Sequence, residues 1–417
     1  MPHWLLIPFV FALGSCIGSF LNVVVWRLPR NQSLLWPPSQ CPKCNHRLAW
    51  YDNLPVIGWI LLRGKCRYCS LPISSRYPII EAITGVLFVA YYVAFFIYQL
   101  GPCITTYIDF GDVQRVTFTS IENDWPVYGL IMFMICGLLA ASLIDAELYI
   151  IPIEIPWLIA GVAILVHALI AEPGQPGRLS VSPLVGAMSA GALVGLLIAN
   201  GAVWLRILPR SFPDGEPMLD FERAEALAQM KKDGASPEEI SQLPPVASRG
   251  EIRHQIAREA IFLAIPLVLS AGFGLLAGRV EGVRQWWLLA ASTFWVNGLL
   301  ASALGAMVAG LSIWVTRIIA TFTLGRVAMG QGDTHLMLAI GAVLGAGPAI
   351  AVFFTAPFFG LALGAHKLLG RGTRELPYGP SLSLAAAAMV IGYRYIDEYF
   401  GPGMGTIADL MRGWMQM

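Results

Sequence analysis

Apolar segments of membrane-spanning length alternate with polar segments over most of this 417-residue chain. About 20 consecutive apolar residues form one helix that crosses a bilayer, and such a helix satisfies its own backbone hydrogen bonds there. The apolar segments fall at 4–26, 79–100, 126–144, 150–171, 183–205, 260–279, 287–315, 335–347, 348–367 and 381–396. The pattern therefore predicts an all-α polytopic membrane protein with about 8–10 transmembrane helices.

The composition agrees with this prediction. Hydrophobic residues make up 56% of the chain and charged residues only 13%, whereas about a quarter of a soluble domain is charged. The net charge of +1 does not favour a nucleic-acid partner, because such proteins present a basic face. No Lys or Arg precedes the first apolar segment, which is also longer than a signal-peptide core, so we expect a retained helix.

Basic residues are concentrated in the polar segment after the first apolar segment. This segment carries Arg27, Arg30, Lys43, Arg47, Arg63, Lys65, Arg67 and Arg76. The segment 101–125 carries one arginine and four acids. Because short cytoplasmic loops are enriched in Lys and Arg, the first segment is predicted to be cytoplasmic and the N-terminus to lie outside. Alternate counting places further cytoplasmic segments at 145–150, 206–258, 316–334 (which includes Arg317) and 368–380.

The polar and apolar segments divide the chain into five regions. These are a first span (1–26), a cytoplasmic cysteine loop (27–78), a helical region (79–205), a polar insert with one extra span (206–286) and a second helical region (287–417). Within the insert, Ser236, Pro237 and Glu239 form the pattern of a helix start, with an N-cap, a proline at N1 and an acid at N3. A small solvated helical insert is expected there.

Two Cys-x-x-Cys pairs lie in the predicted cytoplasmic loop. Cys41 and Cys44 form the first, Cys66 and Cys69 the second, and 21 residues separate them. Two such pairs supply the four thiolates of a tetrahedral structural zinc site, and disulfides are disfavoured in the cytoplasm. The spacing therefore predicts a zinc-ribbon-like site. Four unliganded thiols or a redox pair remain as alternatives.

Two aspartates lie at the predicted cytoplasmic ends of apolar segments. Asp145 follows MFMICGLLAASLI, and Asp333 precedes the segment 335–347 in the sequence GQGD. Two facing carboxylates can share a proton, so that one activates water and the other polarises a carbonyl group, as in aspartic proteases. Gly330 and Gly332 would let a peptide approach Asp333 closely.

Two other interpretations of these aspartates remain open. Each carboxylate could simply cap a helix or lie at the membrane boundary. A transporter could use the acids as a proton relay, but such acids are expected nearer the midplane of the bilayer.

Several stretches together resemble the type IV prepilin peptidase family, the leader peptidases and N-methyltransferases of bacterial inner membranes. The resemblance rests on GSFLNVVVWRLP (18–29), the cysteine loop with DNLPVIGWILLRGKCRYC (52–69), PISSRYPIIEAITG (72–85), SLIDAELYIIP (142–152), GQGD (330–333) and LPYGPSLSLA (376–385). It implies a catalytic pair, Asp145 with Asp333, and four cysteine ligands for zinc. It also implies an active site on the cytoplasmic side of the inner membrane.

The resemblance further implies substrates and a second activity. The substrates would be prepilin or pseudopilin preproteins, cleaved after a glycine that precedes an apolar helix. The second activity would methylate the new N-terminus with S-adenosylmethionine, and Gly64 matches a glycine that the family associates with this step. The sequence indicates no particular oligomeric state.

This chain departs from the family pattern in three places. Ile153 follows Pro152 where the family commonly has Asp, His335 stands where the family commonly has Lys, and the segment 206–286 has no counterpart. The first two departures concern the positioning of the substrate and not the aspartate pair. Two alternatives stay open: a peptidase without methylation, and a non-catalytic membrane scaffold of a pilus or secretion system.

Overall fold

The predicted apolar segments form helices. The computed structural model describes residues 3–100, 109–110, 113–114, 121–170, 178–209, 248–324, 329–370 and 378–392, with Leu227, Met230 and Tyr395. Within this part of the chain each predicted apolar segment contains a helix. Seven of the helices described are long and apolar enough to cross a membrane, and two shorter apolar helices accompany them. The all-α polytopic membrane fold is thus confirmed.

The helices differ widely in length. The longer ones are α1 (Ile7–Arg27), α3 (Arg76–Tyr92), α4 (Ile121–Leu148), α5 (Glu154–Ile170), α6 (Pro183–Trp204), α7 (Arg249–Arg279), α9 (Phe294–Leu324), α10 (Gln331–Leu344), α11 (Ala346–Gly370) and α12 (Gly379–Gly392). The shorter elements are α2 (Ile57–Leu61), α8 (Glu281–Ala291) and the antiparallel strands β1 (Asp109–Phe110) and β2 (Val113–Gln114).

Local sequence explains several helix ends. Helix α7 begins with a capping box, in which Ser248 Oγ accepts from the N–H of Glu251 and the Glu251 carboxylate accepts from the N–H of Ser248. Helix α10 ends at Leu344, just before Gly345, whose φ of 83° suits glycine best. This glycine therefore separates two helices in an otherwise continuous apolar stretch.

The predicted span 287–315 is wrong in its boundaries. The structure has α8 up to Ala291 and begins a separate helix, α9, at Phe294. At this break the hydroxyl groups of Ser292 and Thr293 both donate to the carbonyl of Leu289. Helix α9 also extends to Leu324, so Arg317 lies in a helix and not in the predicted loop.

The core of the helical bundle lies between α4, α9, α10 and α12. Met134, Ile313, Leu336 and Leu382 are all completely buried. Large apolar side chains cover the outer faces of other helices, as shown by Leu197 with 74% of its surface exposed. Such side chains suit a lipid environment, since lipid tails are as apolar as leucine.

Glycines allow two helix pairs to approach through their backbones. A Cβ atom placed on Gly341 of α10 would lie 2.2 Å from the carbonyl oxygen of Gly305 in α9. A Cβ atom on Gly195 of α6 would lie 2.4 Å from Cα of Pro266 in α7. Small residues at contacts are typical of helix packing in membranes, so α7 is an integral part of the bundle.

The region 206–286 is described only in part. Its segment 249–279 forms α7, while the predicted helix start at Ser236, Pro237 and Glu239 lies outside the described residues.

Candidate functional site

Asp145 is buried at the end of α4 and contacts the start of α12. The residue is 6% exposed, and its Oδ2 atom accepts a hydrogen bond from the N–H of Gly379 at 3.1 Å. The first N–H groups of a helix have no partner within the helix, and a carboxylate is a favourable acceptor for them. Asp145 therefore joins two helices that are far apart in sequence.

Asp333 is buried in the first turn of α10. It is 8% exposed, and a Cβ atom placed on Gly330 would lie 3.9 Å from Asp333 Oδ2. A Cβ atom on Gly332 would lie 2.9 Å from Cβ of Ile151. The second glycine of the motif thus makes room for the segment that follows α4.

Ile151 and the start of α12 bring the two aspartate motifs to one place. A Cβ atom on Gly379 would lie 2.6 Å from Asp145 Oδ2 and 3.2 Å from Cδ1 of Ile151, the same side chain that packs on Gly332. Burial raises the pKa of the neighbouring Tyr378 to about 12, and the negative charge of Asp333 contributes to this rise. Asp145 and Asp333 therefore both lie close to one group formed by Ile151, Tyr378 and Gly379.

The cysteine loop lies on the same side of the bundle as Asp145. Arg76, the first residue of α3 after the loop, forms an ion pair with Glu147, two residues beyond Asp145. The side chains of Arg76 and Glu147 are 37% and 47% exposed, so the pair adds little stability. The ion pair shows that the end of α4 lies beside the end of the cysteine loop.

The four cysteines of the two pairs form one cluster. The sulfur atoms of Cys41, Cys44, Cys66 and Cys69 all lie within 4.8 Å of one another, and those of Cys41 and Cys69 are 3.9 Å apart. With zinc–sulfur bonds of about 2.3 Å, a tetrahedral site has sulfur–sulfur distances of about 3.8 Å. The arrangement fits a four-coordinate metal ion.

Both cysteine pairs have the same backbone conformation. In each pair the first cysteine donates its N–H to the carbonyl five residues later and accepts, at its own carbonyl, the N–H four residues later. The bonds are Cys41 to His46 at 3.0 Å, Asn45 to Cys41 at 2.8 Å, Cys66 to Leu71 at 2.9 Å and Ser70 to Cys66 at 2.9 Å. Two matched turns that face each other are the expected frame of a zinc ribbon.

At one of the four cysteines, Cys41, backbone donors favour the thiolate that a metal requires. Burial alone would raise the pKa of Cys41, but the N–H groups of Cys44 and Lys43 bond to its sulfur and hold the pKa at about 7. Thiolates bind zinc and thiols do not.

Gly64 has a structural role in this loop. Its φ is 69°, and a Cβ atom placed on it would lie 2.9 Å from the ring of Trp59. Its carbonyl accepts from the N–H of Ile73 at 2.7 Å, while the indole N–H of Trp59 donates to the carbonyl of Ile73 at 3.1 Å. Glycine is therefore required here for local folding.

Sequence reasoning missed the partners of the aspartates. Tyr378 and Gly379 appeared only as letters of a family motif, and the start of a helix at Gly379 followed by Pro380 was the available signal. His335 lies against the ring of Trp157 with 5.9 Å between ring centroids.

A known protein family matches the N-terminal part of the chain. The family described as "Bacterial Peptidase A24 N-terminal domain" matches residues 12–95, a range that includes most of α1, the cysteine cluster and α3 but neither aspartate. No solved structure matches the chain.

Curated relatives share parts of their length with this chain. A prepilin leader peptidase/N-methyltransferase from Myxococcus xanthus is 52% identical over 97 residues, which are 23% of this chain and 29% of the relative. A protein of the same name from Klebsiella pneumoniae is 46% identical over 87 residues, 19% of this chain and 38% of the relative. The chain thus spans well under half the length of these relatives. Residues 12–95 are therefore similar to the N-terminal domain of bacterial A24 peptidases, and the resemblance to the prepilin peptidases is confirmed over the matched part of the chain.

Proposed function

We propose that this protein is a membrane aspartic endopeptidase that uses Asp145 and Asp333. The observation that supports this proposal most is the meeting of their two motifs at Ile151 and Gly379. Two carboxylates held close together retain one proton between them. The ionised member then removes a proton from water, while the protonated member donates a hydrogen bond to the scissile carbonyl group.

We propose a prepilin or pseudopilin preprotein as the substrate. The ends of α4, α10 and α12 meet at the site, so an extended peptide can reach it from the polar side of the membrane. An apolar helix that follows the cleaved bond would remain in the bilayer beside the bundle. The basic loop on this side supports a cytoplasmic location of the site in a bacterial inner membrane.

Methylation of the new N-terminus is proposed on the names of the relatives and on the loop. S-adenosylmethionine would supply the methyl group, and zinc bound by the four cysteines would hold the loop that lies beside Asp145. The zinc site itself has a structural role in this proposal, since four thiolates leave no open coordination position.

Incubation of the purified protein with a prepilin peptide tests the peptidase proposal. The peptide should carry a short basic leader, a glycine and an apolar segment, and mass spectrometry should show cleavage after the glycine. A gain of one methyl group on the product, dependent on S-adenosylmethionine, is expected for the second activity. Binding of the peptide without cleavage would instead favour the scaffold hypothesis.

Replacement of Gly379 by alanine should slow cleavage by about 10- to 100-fold. The new methyl group would occupy a position 2.6 Å from Asp145 Oδ2 and 3.2 Å from Ile151, so the carboxylate must move. The control is Gly392→Ala at the other end of α12, where a Cβ atom meets none of the described residues within 4 Å. Steady-state rates on the prepilin peptide measure the effect, and equal rates for the two variants would contradict the assigned role of Gly379.

Replacement of Gly64 by alanine should weaken zinc retention. A left-handed conformation costs a residue with Cβ about 1–2 kcal/mol, and the added methyl group would also press on Trp59. We expect zinc to be removed at a lower chelator concentration than from the wild type, with Gly250→Ala as a control at an open site. Loss of methylation with unchanged zinc retention would show that Gly64 serves the methyl transfer directly.

A further inference from the structure

A buried ion pair connects α7 to α9. The side chains of Glu259 and Arg317 are 2% and 1% exposed. Nη1 of Arg317 donates to Oε1 and Oε2 of Glu259 at 3.0 and 3.1 Å, and the indole N–H of Trp314 donates to Oε2 at 2.9 Å. Loss of one partner of such a pair leaves an uncompensated buried charge, so each side chain holds the other in place.

The same arginine also holds the chain just before the GQGD motif. Nε of Arg317 donates to the carbonyl oxygen of Met329 at 3.0 Å, and Met329 is followed directly by Gly330. A backbone segment with two glycines in three residues has wide conformational freedom. The bond to Met329 therefore restricts a segment that its own sequence leaves loose.

The first turn of α10 and the ion pair line the same cavity. The cavity has a volume of about 290 Å³, and its lining includes Glu259, Arg317, Thr334 and His335. Among the described residues, Thr334 Oγ1 and His335 Nδ1 are buried without a hydrogen-bond partner. Because this turn borders a cavity, the hydrogen bond from Arg317 to Met329 is an important restraint on the position of the turn.

We propose that Glu259 and Arg317 are positioning residues for Asp333. Glu259 orients the guanidinium group, the guanidinium group holds the carbonyl of Met329, and this contact sets the place of Asp333 opposite Asp145. The proposal rests on the proposed peptidase function. It assigns to α7, which lies in the region without a counterpart in the family pattern, a part in building the active site.

If the ion pair of Glu259 and Arg317 has only a structural role, the expected results differ from those of a positioning role. Replacement of both members of a buried ion pair by apolar side chains of similar size often restores stability. The double variant Glu259→Leu with Arg317→Met makes this replacement. The carbonyl of Met329 would still lack its donor in this double variant. A positioning role therefore predicts recovered stability without recovered activity.

The test compares cleavage and thermal unfolding for Arg317→Met, Arg317→Lys and the double variant. For Arg317→Met and the double variant we expect kcat to fall by about 100-fold, with KM changed by less than about threefold. The double variant should regain most of the Tm that Arg317→Met loses. Arg317→Lys should keep more activity than Arg317→Met, since one ammonium donor can still reach either partner.

Arg253→Met serves as the matched control. Arg253 is also an arginine of the contact between α7 and α9, and its Nε donates to the carbonyl of Phe322 at 3.1 Å, away from the motif. We expect its kcat to stay within about threefold of the wild type. Recovery of both Tm and kcat in the double variant would overturn the proposal, as would a normal kcat in Arg317→Met.

Amide hydrogen exchange separates this inference from the peptidase proposal. Loss of the bond to Met329 should speed exchange at residues 330–333 about tenfold in Arg317→Met and in the double variant. If the wild-type protein does not cleave prepilin peptides, the peptidase proposal fails and the exchange rates alone decide the inference. Unchanged exchange at these residues would overturn it.

Discussion

Replacement of either Asp145 or Asp333 by asparagine should lower the rate of leader cleavage by at least about 10³-fold. An amide cannot take the proton of the attacking water, and it cannot complete the proton sharing between two carboxyl groups. Because both side chains are buried and asparagine has nearly the same shape, we expect each variant to fold. Cleavage of a prepilin peptide by purified protein, followed by mass spectrometry, measures the effect.

Glu147→Gln is the matched control for these variants. Glu147 is an acid of the same helix end, two residues from Asp145, but its side chain is 47% exposed and pairs with Arg76. Its exposed ion pair contributes little, so we expect cleavage within about threefold of the wild type. Wild-type cleavage by Asp145→Asn or Asp333→Asn would show that the site has another catalytic group.

Removal of one cysteine of the cluster should release zinc and unfold the loop. Structural zinc contributes about 10–16 kcal/mol of apparent binding free energy in zinc-finger peptides at neutral pH. The loop has few buried apolar side chains of its own, as shown by Trp36 and Trp50, which are 72% and 78% exposed. For Cys66→Ser we therefore expect no bound zinc and rapid proteolysis within residues 27–78, compared with one zinc per chain in the wild type.

Cys16→Ser is the control for the zinc prediction. Cys16 is an exposed cysteine of α1 outside the cluster, and its variant should bind zinc as the wild type does. Elemental analysis of purified protein gives the metal content, and limited proteolysis reports on the loop. A wild-type protein with four free thiols and no metal, or a Cys66→Ser variant that keeps its zinc, would contradict the assignment.

Features set by local sequence could be predicted well. The cysteine pairs were found from spacing alone, because a Cys-x-x-Cys turn is determined by a few neighbouring residues. The apolar helices were found because a bilayer demands long apolar segments. Residues 292 and 293 show the limit of this approach, since one helix ends and the next begins there within a stretch that hydropathy treats as continuous.

Contacts between distant segments could not be predicted from the sequence. Gly379 and Asp145 are 234 positions apart, and only the packing of α4 against α12 reveals that one binds the other. Arg317 was counted as a charge in a cytoplasmic loop, although it lies in α9 with a side chain that is 1% exposed. A charge directly after the apolar run LSIWVT was the available signal, since charges in such places usually have a partner or a function.

The proposed cleavage reaction requires Asp145 and Asp333 to act as one unit. The direct test is the residual cleavage rate of the double variant Asp145→Asn/Asp333→Asn beside the two single variants. Groups that work together lose nearly all their effect when one is removed, so the three rates should be equal within about threefold. A double variant whose loss equals the product of the two single losses would contradict a shared catalytic pair.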